Sequence, residues 1–264
     1  FSFLGIIPGS TSQGDRYIWS VIAKHRTPPA TFLLAGQAQS VLAPLITSWA
    51  GGYLLSVTRS GSFAKGTTIK GDSDLDLLVS LRSDAPGTMA ELYRSLEQFV
   101  STRGYVVRQQ NVSIRVASCG LTVDITPARR HPGLGNDHTL YRSRARTWTK
   151  TNVYRHVQLI KGCGRIPEIR ALKIWRSIHG LDFPSFYLEL VVLEALRGHA
   201  IGRLEANVLS VLRFLADELK DRRVVDPSNA GNIVSEDLTV VEKQAISSQA
   251  SRSLNEPSWG QIIW

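Results

Sequence analysis

The chain has 264 residues, of which 43% are hydrophobic and 20% charged; this is an ordinary globular balance that excludes a largely disordered protein. The length suits one large domain or two closely joined ones. Lys and Arg number 31 against 22 Asp and Glu, a net charge of +9, which favours a polyanionic partner: nucleotides, nucleic acid or an anionic membrane surface.

The N-terminal stretch Phe1–Gly9 is apolar but lacks the basic flank and cleavage site of a signal peptide. A short helix is expected within Asp15–Lys24, and Thr31–Trp49 has Leu33, Leu34, Ala38, Val41, Leu42, Leu45 and Ile46 near helical spacing, with Gly51–Gly52 to end it. Tyr53–Arg59 reads as a strand. Ser60–Ser73 is a Gly/Ser/Thr-rich connection, Leu75–Leu81 a strongly apolar strand, and Thr88–Thr102 a helix that Gly104 stops. Three β-like runs follow, Tyr105–Gln110, Ser113–Ala117 and Leu121–Thr126. Residues 128–150 are polar, basic and Gly-bearing. Beyond Thr151 the pattern is helical, over 151–161, 167–179, 185–197, 202–220 and 237–253. The expected fold is therefore α+β, with a sheet-bearing domain over 1–150, a helical lobe over 151–264, and a ligand cleft between them.

No stretch reaches about 18 uninterrupted apolar residues. The best run, Phe183 to Leu196, carries Glu189 and Glu194, so no membrane is expected among the partners. Two cysteines, Cys119 and Cys163, give neither a disulfide scaffold nor a zinc cluster, and a reducing cytoplasm is the expected location. The oligomeric state is left open.

The sharpest chemical signal is Gly61-Ser62 followed, 12 residues after the serine, by Asp74-Leu75-Asp76. Residues i and i+2 of a strand share a face, so both carboxylates point one way and repel each other. A divalent cation relieves that repulsion, and hard oxygen ligands with coordination left for phosphate suit Mg²⁺. Asp124, in the β-like run Leu121–Thr126, supplies a third acid if that strand lies beside Leu75–Leu81. Three carboxylates suit two metal ions about 3.5–4 Å apart, the arrangement for in-line displacement at phosphorus. Gly61 lets backbone approach a phosphate, exposed N–H groups and the Ser62 hydroxyl bind its oxygens, and Lys65 and Lys70 add positive charge.

Taken singly, each piece has a plainer explanation. An Asp-x-Asp pair is usually a solvated face, and a Gly-Ser dipeptide a turn. Lys173, on an amphipathic helix, reads as a surface charge. Ser185 after Pro184 reads as a helix N-cap, and Phe186 and Tyr187 as core. The basic stretch Arg129-Arg130-His131, Arg142, Arg144, Arg146 and Lys150, interleaved with Tyr141 and Trp148, reads either as a nucleic-acid surface or, preferably, as a solvated face that keeps a nucleotide site electropositive.

The combination resembles a known family. Ser60-Gly61-Ser62-Phe63-Ala64-Lys65-Gly66-Thr67 through Asp72-Ser73-Asp74-Leu75-Asp76-Leu77 resembles the signature of polymerase-β-like nucleotidyltransferases, and more narrowly of the cGAS/DncV-like enzymes (CD-NTases) that make cyclic oligonucleotide messengers in bacterial anti-phage systems. Arg170–Arg176 resembles that family's lysine-bearing helix, Ser185–Leu190 its Ser-aromatic helix start, and Val225–Asn232 its Asp-Pro…Asn segment, so the likeness spans roughly residues 50–240. It implies a polymerase-β-like palm with a helical lobe. It also implies Asp74, Asp76 and Asp124 as catalytic ligands of two Mg²⁺ (or Mn²⁺), and Gly61, Ser62, Lys173 and Ser185 as triphosphate contacts. Phe186 falls beside a base, where the family often has Tyr. The implied activity joins ribonucleoside triphosphates, ATP and/or GTP with a pyrimidine as a further option, into a cyclic di- or trinucleotide with release of pyrophosphate. An activating nucleic acid would engage residues 129–150. The rival readings are an oligoadenylate-type or RNA-tailing enzyme with a linear product, and a nucleic-acid-binding protein with a degenerate transferase core, against which the three intact acids count.

Overall fold

The structure, a computed structural model, describes residues 12–72, 74–133 and 135–264. The Phe1–Gly9 segment and Ser73 lie outside them. The chain divides into two compact units: one of Thr27–Lys161 with Pro227–Asn232, the other of residues up to Arg26, Gly162–Asp226 and Ile233–Trp264. These are not the linear halves 1–150 and 151–264. The first helix, α1 (Gln13–Lys24), counts with the C-terminal helices, and the chain leaves the sheet unit only after a further helix.

The sheet unit begins with α2 (Pro29–Ala50), followed by β1 (Leu54–Arg59), the short α3 (Gly61–Lys65), β2 (Leu75–Leu81) and α4 (Met89–Ser101). Thr88 caps α4 through a reciprocal box with Glu91, which satisfies two otherwise orphaned donors. Then come β3 (Arg108–Gln109), β4 (Ile114–Ser118), β5 (Leu121–Arg130), β6 (His138–Arg142), β7 (Thr147–Thr151) and α5 (Val153–Gly162). The seven strands form one sheet in the order β1-β2-β5-β4-β3, with β6 beside the far end of β5 and β7 beside β6. Among the described residues of this sheet, only β2 and β5 pair in parallel.

Alternation sorts β2 between two faces. Leu75, Leu77, Val79 and Leu81 join the main core with Ala35, Ala38, Leu42 and Ile46 of α2 and Tyr93, Leu96 and Val100 of α4. Asp74, Asp76, Leu78 and Ser80 take the opposite face, where Leu78, Ala128 and Leu140 form a smaller cluster with Val153 of α5 packed against it. At ~25 cal/mol per Å² of apolar area removed from water, the larger cluster is the main source of this unit's stability.

Residues 128–150, polar and basic in sequence, hold the end of β5 and the β6–β7 hairpin. One expectation changes here: the best apolar run is not Phe183–Leu196 but the region of α2, Pro29–Tyr53, which by length and composition alone is apolar enough to cross a bilayer. Its stripe Ala35–Ala38–Leu42–Ile46 is committed to the sheet. The large apolar residues Phe32, Leu33 and Val41 lie off that stripe and are exposed.

The second unit packs α1 with α6 (Ile166–Ile178), α7 (Ser185–Ala195), α8 (Leu204–Asp217), α9 (Val240–Leu254) and the short α10 (Trp259–Ile262). Ile18, Val21, Leu172, Trp175, Val191, Val211, Leu212, Ile246 and Ala250 are buried in it. The Trp175 indole donates to Ser253 Oγ at 2.9 Å, so its polar edge is not buried unpaired. Asp15 joins two helix starts. Its side chain closes the Ser12 capping box of α1, and its Oδ1 accepts from the Glu205 N–H in the first turn of α8 at 2.6 Å.

Candidate functional site

β2 and β5 pair in parallel register with Asp76 directly beside Asp124 and Leu75 beside Val123. Because Leu75, Leu77, Val123 and Ile125 are drawn into the core, the two aspartates must project from the other face, and Asp74 precedes the strand at the same parity. The expected side-by-side placement of the two acid-bearing strands is therefore present.

Gly61-Ser62 reaches the same place from β1. The Ser60 N–H donates to the Asp76 carbonyl at 2.8 Å, tying the end of β1 to β2. The chain then turns into α3 through Gly61 at φ 57°, a left-handed conformation that favours glycine. A Cβ on Gly61 would lie 2.5 Å from Asp76 Cγ and 3.0 Å from its Cβ. Glycine is thus required twice, by its backbone and by the carboxylate against it. Ser62 is half-buried, and its carbonyl accepts from the Gly66 and Thr67 N–H groups, fixing the turn that follows. Lys65 is buried in the last turn of α3, whereas Lys70 is exposed.

Arg115 is the residue that motif reading passed over. On β4, Ile114 and Val116 turn into the core, leaving Arg115 on the acid face directly opposite Asp124. That register follows from the two-residue turn Cys119-Gly120, with φ 50° and 74°, the doubly left-handed turn that suits tight hairpins. Arg115 Nε and Nη2 donate to Asp124 Oδ1 and Oδ2 at 2.9 and 2.7 Å, and Nη2 also reaches Asp74 Oδ2 at 2.9 Å. A planar fork on two carboxylates is among the stronger charge-assisted arrangements. Burial pushes the Asp74 carboxyl above its usual value; Arg115 opposes that rise, and Asp124 and Asp72 add to it. The hydrogen bond to Asp124 holds the Arg115 guanidinium firmly in its charged form.

The donor set fits a hard divalent cation: only carboxylate oxygens, on adjacent strands, already gathering positive charge in the form of a guanidinium. Among the described residues no three acidic, His or Cys groups yet surround one common point. Two of the three acids are turned to Arg115 instead.

The same face continues past the acids into a cavity of about 400 Å³ lined by Arg59, Leu78, Ser80, Arg130, His138 and Tyr154, among others. His138 Nδ1 donates to the Asn136 carbonyl at 2.8 Å, which leaves Nε2 to accept from Ser80 Oγ–H at 2.7 Å. Burial pushes its pKa down, with Arg130 and His131 acting the same way and the Asn136 carbonyl opposing them.

Three further expected residues lie in the other unit. Lys173, Ser185 and Phe186 belong to the helical unit. Lys173 is 1% exposed and paired with Glu189, also 1% exposed, at 3.8 Å. It is a buried ion pair rather than the surface charge its helix pattern suggests. Ser185 is the first residue of α7 and not its N-cap; Pro184 holds that position, and no side chain caps the helix. Phe186 is partly exposed while Tyr187 is buried.

Within the basic stretch, Tyr141 packs in the core against Tyr93, with ring centroids 5.6 Å apart. Arg129 donates to the Gly87 carbonyl, Arg130 to the Gly135 carbonyl, and the His131 ring meets Thr139 Oγ1. What remains exposed is the end of the β6–β7 hairpin, with Arg144, Arg146, Trp148 and Lys150. The Val225–Asn232 segment lends Ser228 to the start of α5: its Oγ meets His156 Nε2 at 2.8 Å and accepts from the Asn152 N–H at 3.2 Å.

Residues 47–119 match the family model of the nucleotidyltransferase domain. This span takes in Gly61, Ser62, Asp74, Asp76 and Arg115 and stops before Asp124. Comparison with curated protein sequences gives no match. Among solved structures, the chain is similar to CdnC of E. coli MS115-1 with ATP (20% identity, 94% of this chain and 96% of that one, TM-score 0.72). It is similar also to the CD-NTase CdnG of Bradyrhizobium diazoefficiens in complex with GTP (15% identity, 92% and 91%, TM-score 0.75), and to a Cid1 poly(U) polymerase mutant bound to MgATP (13% identity, 92% and 95%, TM-score 0.68). At these identities the likeness is one of fold.

Proposed function

We propose that this chain, which has the α+β fold of polymerase-β-like nucleotidyltransferases and carries a nucleotidyltransferase domain at residues 47–119, joins ribonucleoside triphosphates without a template into a cyclic di- or trinucleotide. The observation that carries the reading is the register that sets Asp76 beside Asp124, with Gly61 against Asp76.

In this reading Gly61 lets the backbone close on the donor triphosphate, and the Ser62 hydroxyl donates to one of its oxygens. Asp74, Asp76 and Asp124 would hold Mg²⁺, with Mn²⁺ as a substitute; ions so held activate an attacking hydroxyl and offset charge on the transferring phosphoryl group. A ribose hydroxyl of a second nucleotide attacks the α-phosphorus. The new O–P bond forms as the bond to pyrophosphate breaks, and the hydroxyl proton leaves toward the acid face. Ser185 and Phe186 are assigned to the nucleotide from the helical unit, Phe186 offering an aromatic face to a base. Lys173, buried against Glu189, is assigned first to holding α6 on α7. Two free cysteines accord with a reducing cytoplasm, and the likeness to CdnC and CdnG favours messenger synthesis of the kind bacterial anti-phage systems use.

The likeness to a poly(U) polymerase favours a second reading, the addition of nucleotides to an RNA end. Incubation with four labelled triphosphates and Mg²⁺, with and without RNA, separates the two. A phosphatase-resistant product formed without RNA is expected. A ladder of extended RNA, or only linear phosphatase-sensitive products, would replace the first reading with the second.

A further inference from the structure

Arg115 holds the position that a metal ion needs. Its Nη2 lies 2.9 Å from Asp74 Oδ2 and 2.7 Å from Asp124 Oδ2, while Nε takes the second oxygen of Asp124. Octahedral Mg²⁺ requires oxygens at about 2.0–2.1 Å, so an ion shared by these acids cannot coexist with the guanidinium hydrogen-bonded as it is.

We propose that Arg115 is an internal counter-ion that competes with the divalent metal for Asp74 and Asp124 and is drawn off by the phosphates of an incoming nucleotide. The inference rests on the metal-dependent reading above and deepens it. Two physical facts support it. Three neighbouring carboxylates without a cation repel one another, so the metal-free protein gains from a resident positive charge. And a guanidinium matches a phosphate's paired oxygens as well as a carboxylate's, so a bound triphosphate offers Arg115 an equivalent partner. Arg115 sits at the outer side of the acid group, on β4, and is about one-third exposed. Its long side chain can therefore turn to a ligand without breaking the sheet. Metal and nucleotide then bind with positive coupling: each removes part of the cost of the other, and by linkage the coupling is reciprocal.

The test is Mn²⁺ affinity, read from the free-ion electron paramagnetic resonance signal, for the wild-type chain and Arg115→Met. Without nucleotide, the variant should bind Mn²⁺ about tenfold more tightly or better, since the metal no longer has to displace charge-assisted hydrogen bonds; tenfold is ~1.4 kcal/mol. A non-hydrolysable triphosphate should tighten Mn²⁺ binding by a larger factor in the wild type than in the variant. Equal or weaker affinity in Arg115→Met would overturn the proposal and show that Arg115 supports the acids as ligands. Absence of Mn²⁺ binding in both proteins, with or without the triphosphate, would overturn the metal-site reading itself. If Arg115→Met does not fold, the wild-type chain still decides the matter through the Arg115 Nε–H resonance, assigned with Arg115→Lys. It should be protected from solvent exchange in the metal-free protein and lose that protection when Mg²⁺ and the triphosphate are added. Unchanged protection would overturn the proposal.

Discussion

The Asp76 carboxylate occupies the space in which a side chain at residue 61 would begin, its Cγ 2.5 Å from an ideal Cβ on Gly61. The Gly61-Ser62 turn and the acid face are therefore one structure, and neither moves without the other. Gly61→Ala would force a non-glycine residue into φ 57°, which costs about 1–2 kcal/mol, and would push Asp76 aside. A misplacement on the order of 1 Å is enough to lose ~100-fold in rate. Pyrophosphate release should fall by at least that much, with a melting temperature lowered by only a few degrees.

The Lys173–Glu189 pair is buried on both sides. Removing one member leaves an uncompensated buried charge, a loss of about 3–5 kcal/mol, whereas replacing both with apolar residues of similar size is often neutral. Lys173→Met should accordingly destabilise the chain in urea titration by about that amount, and Lys173→Met with Glu189→Met should recover most of it. If instead Lys173→Met leaves stability unchanged and weakens only nucleotide binding, the ammonium faces the ligand and not Glu189.

His138 is neutral in the fold, donating through Nδ1 and accepting at Nε2, and its pKa is depressed by burial. The unfolded chain thus binds a proton in a range where the folded chain does not. The stability from this site is present above the ordinary value of 6.5 and is lost as pH falls through it toward the depressed folded value. Denaturation between pH 7.5 and 5 should show stability falling with acid, and His138→Gln, which cannot titrate, should flatten that slope. An unchanged slope would assign the acid sensitivity to other groups.

Much of the site was legible in the sequence because strand alternation is local. Leu75–Leu81 emerges with its expected bounds, and the parity of Asp74 and Asp76 follows from it. The side-by-side placement of Asp124 was conditional on strand order, which a sequence pattern does not contain. Arg115 was written in the same alternation, between Ile114 and Val116, with Cys119-Gly120 to set the register. No motif marks it, because the pattern that identifies the site is one of acids and Arg115 is a cation set among them. The β6–β7 hairpin is hidden in the sequence for a different reason. Thr147-Trp148-Thr149-Lys150-Thr151 is an edge strand with a mostly exposed burial pattern, so no buried face marks it. α3 is a helix of five residues, too short to leave a 3.6-residue period. Lys173 reads as a surface charge because its partner Glu189 lies on the next helix, 16 residues away in sequence.

The central claim is that Asp76 and Asp124, paired across β2 and β5, form one catalytic face with Asp74. It is tested most directly by pyrophosphate release from mixed ribonucleoside triphosphates with Mg²⁺, compared between the wild-type chain and Asp76→Asn with Asp124→Asn. Loss of metal-assisted charge stabilisation, worth several kcal/mol, corresponds to a fall of at least about a thousandfold, with the fold retained by circular dichroism. Release from a folded double variant at the wild-type rate would contradict the account.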